Sequence, residues 1–486
     1  MKFSQISEIH DAFDAKKLSA VELTQGYLDK AHASTHNAYL TFCDERALEQ
    51  ARAADAQIAR NGGRVPRDSH PLLGIPLGIK DVLVMDGVRT TCGSKMLDRY
   101  IPPYTATVVE RLERAGAVSL GKLNMDEFAM GGSNENSAYG PVRHPTHPDR
   151  VPGGSSGGSA AAVGADLCVA ALGTDTGGSI RTPSAYCGIV GIKPTYGRVS
   201  RYGMIAFGSS LDQIGPMAKS VEDAARLLDV MAGHDPMDST SAGRAKGRYV
   251  QAASDPQALQ SLKGLRIGVP QEYFVDGVTP EVQKITREAL DWYASQGAEL
   301  VPLSLPHTPY SVAVYYMVAV SEASSNLARF DGIRFGSRPP AADQAQSLVE
   351  YYNRVRANFG PEVKRRIILG TFALSAGYSD AYFKRACQVR RLIAQDFEAA
   401  FTKCDLIMGP VTTETAFKLG EKIENPLRLY LKDIFTIPAN LAGLPAMSLP
   451  CGKDASGLPV GLHLIAPQFE EERIFRVARA YERAHA

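Results

Sequence analysis

Two loops rich in serine and glycine carry the groups best suited to chemistry: Gly153-Gly154-Ser155-Ser156-Gly157-Gly158-Ser159 and Thr174-Asp175-Thr176-Gly177-Gly178-Ser179-Ile180-Arg181. Each sets hydroxyls beside bare backbone N–H groups, the combination that anion binding and acyl transfer both require. The loops lie between Gly131 and Gly215, a segment holding 17 of the chain's 44 glycines. That density marks backbone that takes positive φ or lies close to something else. A serine hydroxyl is a weak nucleophile and needs a base within reach. Lys80 closes the apolar run from Leu72 to Ile79. It either snorkels to the surface or sits in a dry site, where desolvation lowers its pKa and lets it act as a base. A second serine, donor and acceptor together, can pass the proton between base and nucleophile.

Other motifs offer less. Gly116-Ala117-Val118-Ser119-Leu120-Gly121-Lys122 mimics a phosphate-binding loop, but Leu123 follows where a hydroxyl for Mg²⁺ is needed. Asn124-Met125-Asp126-Glu127 carries adjacent carboxylates, for which a helix start near Asn124 competes with metal or acid/base work. Gly153-x-Ser155-x-Gly157 matches a hydrolase elbow, which needs a preceding strand and a later Asp and His. The prolines between His144 and Pro152 exclude a central strand there. Of the later histidines, His234, His307, His463 and His485, only His463 in its strand-like run stays open as a partner. Seven scattered cysteines without a C-x-x-C pair point to reduced thiols, and Cys168 and Cys187 read as small buried hydrophobes. No metal site is expected.

The elements that must position the loops follow from pattern. Helices are expected over residues 4–36 (two, the second opened by the capping box Ser19-Ala20-Val21-Glu22), 45–60, 159–164, 221–231, from Thr279-Pro280 to Gly297, and over 310–329, 352–369, 380–400 and 470–484. Strands are expected at 72–81, 167–172, 265–270, 300–303, 406–408, 446–449 and 460–465, with a polar, loop-like stretch up to about Leu262. Alternation of this kind predicts an α/β fold, a large mixed β-sheet flanked by helices on both faces. No repeat, charge block or linker divides the 486 residues, so one domain over 1–486 is expected, its catalytic core at about 70–215. The net charge of +1 excludes direct, unaided nucleic-acid binding as an expectation. With no long apolar run and no signal-peptide core at the start, the protein reads as cytoplasmic.

With Lys80, Ser155 and Ser179 in place, the sequence resembles the amidase signature family over essentially its whole length. The segment from Val151 to Gly191, which pairs GGSSGGS with DTGGSIR about 24 residues apart, is highly specific. The resemblance implies the amidase signature fold and a Ser-cis-Ser-Lys triad. Ser179 would be the nucleophile, Ser155 the relay behind a cis peptide bond, and Lys80 the base. Backbone N–H groups of Thr176, Gly177 and Gly178 would form the oxyanion hole, with donors worth ~3 kcal/mol each in comparable enzymes. Pro183-Ser184 stands where many members have Pro-Ala, a departure that touches nothing catalytic.

Within the family, GKLNMDEFAMGGS from Gly121, KPTYGRVS from Lys193, SEASSNLARFDG from Ser321 and Lys364-Arg365-Arg366 with Leu369-Gly370-Thr371 are similar to the glutaminase branch that serves tRNA-dependent amidotransferases. That likeness implies glutamine as substrate and a heterotrimer with the B and C subunits of such an amidotransferase. Ammonia would pass to the B subunit, which would use ATP and Mg to amidate Glu-tRNA(Gln), Asp-tRNA(Asn) or both and would hold most of the mischarged tRNA. No cofactor is implied for this chain. By motif position Arg366 would hold the glutamine α-carboxylate, Asp433 would face its α-amino group, and Tyr315, or Tyr316 if the register slips, would line the same pocket. The alternatives are a stand-alone amidase signature hydrolase acting on another amide and a non-catalytic scaffold or nucleotide-binding protein, the last disfavoured by Leu123.

Overall fold

The computed structural model describes residues 3, 5–255, 262–421 and 432–485. In chain order the helices are α1 Ile6–Asp14, α2 Ala20–Ala33, α3 Asp44–Arg60, α4 Thr107–Arg114, α5 Gly157–Gly164, α6 Arg181–Cys187, α7 Val221–Met231, α8 Tyr249–Ser254, α9 Pro280–Ser295, α10 Ser311–Leu327, α11 Leu348–Arg356, α12 Pro361–Leu374, α13 Arg385–Ala400, α14 Ile437–Leu441 and α15 Glu471–Ala484. The strands are β1 Tyr39–Phe42, β2 Pro76–Lys80, β3 Val118–Leu123, β4 Ala170–Asp175, β5 Val190–Lys193, β6 Gln213–Ala218, β7 Arg266–Pro270, β8 Glu299–Leu303, β9 Leu406–Pro410, β10 Ala446–Lys453 and β11 Pro459–Ile465. They form one mixed sheet in the order β1-β3-β2-β4-β6-β5-β10-β11-β9-β7-β8.

Local chemistry explains most of these elements. Ser19 and Glu22 cap α2 reciprocally, Glu22 N donating to Ser19 Oγ at 3.1 Å and Ser19 N to Glu22 Oε2 at 2.8 Å. Pro280 opens α9 with its fixed φ and missing donor, and Gly297, at φ +94°, follows its end. Every residue of β2, β3, β4, β5, β6, β9 and β11 is buried. Strands so enclosed need cover on both faces, which the helices provide. Apolar side chains from Ile6 to Tyr481 join one contiguous core cluster. Among the described residues no helix is long and apolar enough to cross a membrane.

β2 lies between β3 and β4 and runs parallel to both. Three loops therefore leave the sheet from one edge, the carboxyl ends of parallel strands where α/β folds place their ligands. Those loops begin at Asp81, Asn124 and Thr176.

Several expectations are corrected. The helix read over 352–369 is two helices, α11 and α12. Gly360 is extended (φ −69°, ψ 168°) ahead of Pro361, whose ring disfavours a helical residue before it. The loop-like stretch before Leu262 contains α8, and its residues 256–261 lie outside the described ones. Strands β1, β3, β5 and β6 were not expected, and the phosphate-loop mimic at 116–122 runs into β3. Asn124 starts no α-helix: its amide donates to the carbonyls of Asn37 (3.0 Å) and Gly140 (3.3 Å), and only a short 3-10 turn, Glu127–Ala129, follows.

Candidate active site

β2 ends on Lys80, which is wholly buried, so the snorkelling alternative is excluded. Its Nζ donates to Ser155 Oγ, Ser156 Oγ and Thr174 Oγ1, each at 2.8 Å. Burial pulls its pKa down to about 7, against Asp126, Asp175 and Asp212, whose charges push it up. Ser156 Oγ accepts from Thr174 N at 3.2 Å and donates to the Thr174 carbonyl at 3.1 Å. The one proton of Ser156 is thus committed, and towards Lys80 this hydroxyl can only accept. A neutral lysine that keeps N–H bonds to Ser156 and Thr174 has its lone pair left for the proton of Ser155.

Ser155 stands between β3's loop and α5. The Gly154–Ser155 peptide bond is cis. Asp126 N donates to the Ser155 carbonyl at 3.3 Å, and Gly157 N, at the start of α5, to Asn134 Oδ1 at 2.9 Å. A Cβ on Gly154 would lie 2.1 Å from Asp126 Oδ2 and 2.8 Å from Asn134 N, so no other residue fits there. Ser156 N donates to the Ser179 carbonyl at 3.2 Å, which brings the backbones of the two serine loops together.

Ser179 follows β4 on the turn into α6 and opens on a small cavity of ≈ 10 Å³. The same cavity is lined by Arg366 of α12, Tyr315 and Tyr316 of α10, and Asp433, with Gly131, Gly132 and Gly177 completing it. Both tyrosines belong to it, so the register question between them falls away. The Tyr315 ring lies against Gly177, where a Cβ would approach Cζ to 2.8 Å. The Arg366 guanidinium stacks over Phe207 and Tyr316, 5.4 and 5.3 Å from their ring centres, and its Nε donates to Glu362 Oε1 at 2.8 Å. Asp433 Oδ1 accepts from Thr182 Oγ1 at 3.0 Å and stands 3.7 Å from Lys432 Nζ. Burial pushes the Asp433 carboxyl up, and Lys432 and Thr182 work against it.

The loop carrying Ser179 is built around Asp175. This carboxylate accepts from Gly178 N (2.9 Å), Ile180 N (3.1 Å), Arg181 Nε and Nη2 (both 3.0 Å) and Asn440 Nδ2 (2.8 Å). The Arg181 guanidinium and these donors hold it well below the usual carboxylate range although burial works the other way. One expectation is corrected here. The Gly178 N–H is committed to Asp175, which leaves Thr176 and Gly177 of the three expected oxyanion donors. Thr176 Oγ1 donates to Asp212 Oδ1 at 2.7 Å, and burial pushes the Asp212 carboxyl up to about 6.

The rival readings do not converge on this site. His463 is buried in β11, where its Nε2 accepts from Arg181 Nη1 at 2.9 Å and burial holds its pKa well below the ordinary value. It pairs with a guanidinium, while Ser155 pairs with Lys80. Lys122 forms a buried pair with Asp81 at 3.0 Å and donates to Thr90 Oγ1 at 2.7 Å. All seven cysteines are free, Cys168 and Cys187 among the buried ones. No cluster of His, Cys, Asp or Glu that could hold a metal occurs among the described residues.

Sequence reasoning missed Ser156 and Thr174, the other two partners of Lys80, and Asp212 and Thr436, which hold the Ser179 loop. For Ser156 the adjacent serine in the motif was a usable signal. For Asp212 and Thr436 no local signal exists.

Comparison with known proteins gives a consistent result. The family model described as Amidase matches residues 22–475. The chain is 52% identical over 484 residues to the A subunit of a glutamyl-tRNA(Gln) amidotransferase of Geobacter metallireducens, covering 99% of this chain and 97% of that relative. A protein of the same description from Koribacter versatilis is 54% identical, with 98% and 97% covered. Among solved structures, the crystal structure of the glutamyl-tRNA(Gln) amidotransferase A subunit from Thermotoga maritima matches with a TM-score of 0.72 at 41% identity, covering 90% of this chain and 94% of that one.

Proposed function

The chain belongs to the amidase family, and we propose that within it this protein is the glutamine-hydrolysing component of a tRNA-dependent amidotransferase. The observation that carries the reading is that one small cavity joins Ser179 to a guanidinium, Arg366, and a carboxylate, Asp433. Free glutamine carries an α-carboxylate and an α-ammonium, and a site selecting it must pair both, because an unpartnered buried charge costs several kcal/mol. Arg366 suits the carboxylate and Asp433 the ammonium, which leaves the side-chain amide for Ser179.

On this reading Ser179 Oγ attacks the amide carbon while its proton passes to Ser155, whose own proton passes to the neutral amine of Lys80. The tetrahedral oxyanion is held by the N–H groups of Thr176 and Gly177. Its collapse breaks the C–N bond, and the proton on Lys80 returns through Ser155 to the leaving nitrogen, giving ammonia and a γ-glutamyl ester on Ser179. Water then attacks the ester by the same proton route and releases glutamate.

The relatives' descriptions support a multi-subunit assembly. In this reading the amidotransferase's B and C subunits are the partners, and the B subunit uses ATP and Mg to amidate Glu-tRNA(Gln), Asp-tRNA(Asn) or both with the ammonia made here. The near-zero net charge of this chain supports leaving most of the tRNA to that partner. A cytoplasmic location follows from that role.

The test is steady-state kinetics of the assembled complex on glutamine and on propionamide. A preference for glutamine of ~100-fold or more in kcat/KM is expected from two paired charges. Comparable turnover of both amides by the chain alone would instead make it a stand-alone amidase.

A further inference from the structure

The peptide unit between Gly177 and Gly178 is gripped at both ends, by a side chain three residues back in the same loop and by one from a distant part of the chain. Its N–H donates to Asp175 Oδ1 at 2.9 Å, and its carbonyl accepts from Thr436 Oγ1 at 2.6 Å. Flanked by two glycines, this unit would otherwise rotate with little steric resistance. Thr436 is wholly buried, and its own carbonyl accepts from Arg181 Nη1 at 3.0 Å, so it is anchored to the arginine that pairs with Asp175. The approach is close: at Gly178, which has φ +142°, a Cβ would come within 2.4 Å of Thr436 Oγ1.

Thr436 stands three residues after Asp433, on the turn leading into α14. Asp433 is itself tied to α6 through Thr182 Oγ1 at 3.0 Å. The short segment proposed to receive the substrate ammonium is therefore hydrogen-bonded on both sides of Ser179, once to the loop in front of the nucleophile and twice to α6 behind it.

We propose that Thr436 is a positioning residue for the oxyanion-binding loop. Its hydroxyl fixes the plane of the Gly177–Gly178 peptide, and with it the direction of the adjoining N–H of Gly177, so that the segment engaging the substrate's amino end also sets the donors for the oxyanion. The inference rests on the glutaminase reading for its substrate. Its geometry concerns only the serine loop.

The discriminating variants are Thr436→Val, which keeps the shape and loses the donor, and Thr436→Ser, which keeps the donor. In the assembled complex Thr436→Val should lower kcat for glutamine about 10-fold or more, as expected for a misdirected oxyanion donor, and leave KM within about 3-fold. Thr436→Ser should restore most of the loss. The rate at which an alkyl fluorophosphonate labels Ser179, displacing fluoride, should fall and recover in parallel, because this probe reads serine reactivity without glutamine. If the valine variant does not fold, Thr436→Ala supplies the donor-free comparison.

Three results would overturn the proposal: a valine or alanine variant with kcat and labelling close to wild type, a serine variant as damaged as the valine one, or a loss confined to KM, which would place Thr436 in glutamine binding alone. A wild-type complex that labels but does not hydrolyse glutamine would sink the glutaminase reading. The labelling rates of the Thr436 variants would still decide the proposal.

Discussion

Lys80 and Ser155 stand 75 positions apart in the chain and meet at 2.8 Å, both side chains wholly buried. The contact exists because β2 delivers Lys80 to the edge of the sheet where the loop before α5 and the end of β4 converge. An amine in such a place is denied the water that would stabilise its charge, and its proton affinity becomes a working property of the site.

Rate should therefore follow the charge on Lys80. With burial pulling the amine to about 7 from an ordinary 10.5, kcat/KM for glutamine is expected to rise with pH through an apparent pKa near 7. Between those two values the folded state holds fewer protons than the unfolded chain, so this group also makes stability rise with pH across that window. Lys80→Arg keeps a positive charge that does not deprotonate and should be inactive. Glu127, pushed up to about 7 by burial, titrates in the same range, so Glu127→Gln is the control and should leave the rising limb in place. A limb that moved with Glu127→Gln would assign the titration to that carboxyl.

Ser179→Ala should abolish glutamine hydrolysis without disturbing the fold, since the side chain lines the cavity and the loop around it is held by Asp175. The assembled complex carrying it should still amidate mischarged tRNA when ammonium chloride replaces glutamine. Loss of the ammonia-dependent reaction as well would give Ser179 a different role.

Arg366→Ala and Asp433→Asn should each weaken glutamine use by ~2–5 kcal/mol in kcat/KM and spare a small uncharged amide. The structure separates this effect from folding. Glu362, the carboxylate beside Arg366, is also paired with Arg365, so removing Arg366 does not strand it. An asparagine at 433 can still accept from Thr182 Oγ1, as the carboxylate does. Equal losses on glutamine and on propionamide would show that these residues support the serine loop instead of the substrate.

Helices α10 and α12 touch backbone to backbone where Gly370 faces the Val320 carbonyl, and a Cβ there would lie 1.9 Å from that oxygen. Gly370→Ala must push the helices apart, at a cost of ~1–3 kcal/mol. These helices carry Tyr315, Tyr316 and Arg366, so the variant should lower Tm and raise KM for glutamine together, while fluorophosphonate labelling of Ser179 changes little. Thermal melts beside kinetics check this. An unchanged KM in a destabilised variant would mean the cavity does not depend on the crossing.

How much of the site was legible depended on whether the information was local. Lys80, Ser155 and Ser179 sit in contiguous runs whose likeness to the amidase signature implies base, relay and nucleophile, where the residue types alone left Lys80 open between the surface and a dry site. Asp212 acts on Thr176 across 36 residues and Thr436 on Gly177 across 259, and a lone hydroxyl or carboxylate at such separations leaves no pattern. The commitment of the Gly178 N–H to Asp175 is likewise a tertiary fact. In the fold, β3, β5 and β6 are short and buried on both faces, so they lack the alternation that betrays a half-exposed strand. The break before α12 was in plain view as Gly360-Pro361, but a helical pattern on either side masked it.

The residues proposed to break the amide bond all lie between Lys80 and Ser179, on the end of β2, the loop before α5 and the loop leaving β4. Those proposed to face the substrate's charged end lie between Tyr315 and Asp433, on α10, α12 and the turn before α14. The two sets meet across the cavity, and ties at Thr182 and Thr436 join the segments that carry them. Descent with modification can therefore act on them separately. A lineage could inherit the bond-breaking half and Thr436 unchanged, accumulate substitutions on two helices and the rest of the turn, and arrive at a different amide with its proton route intact.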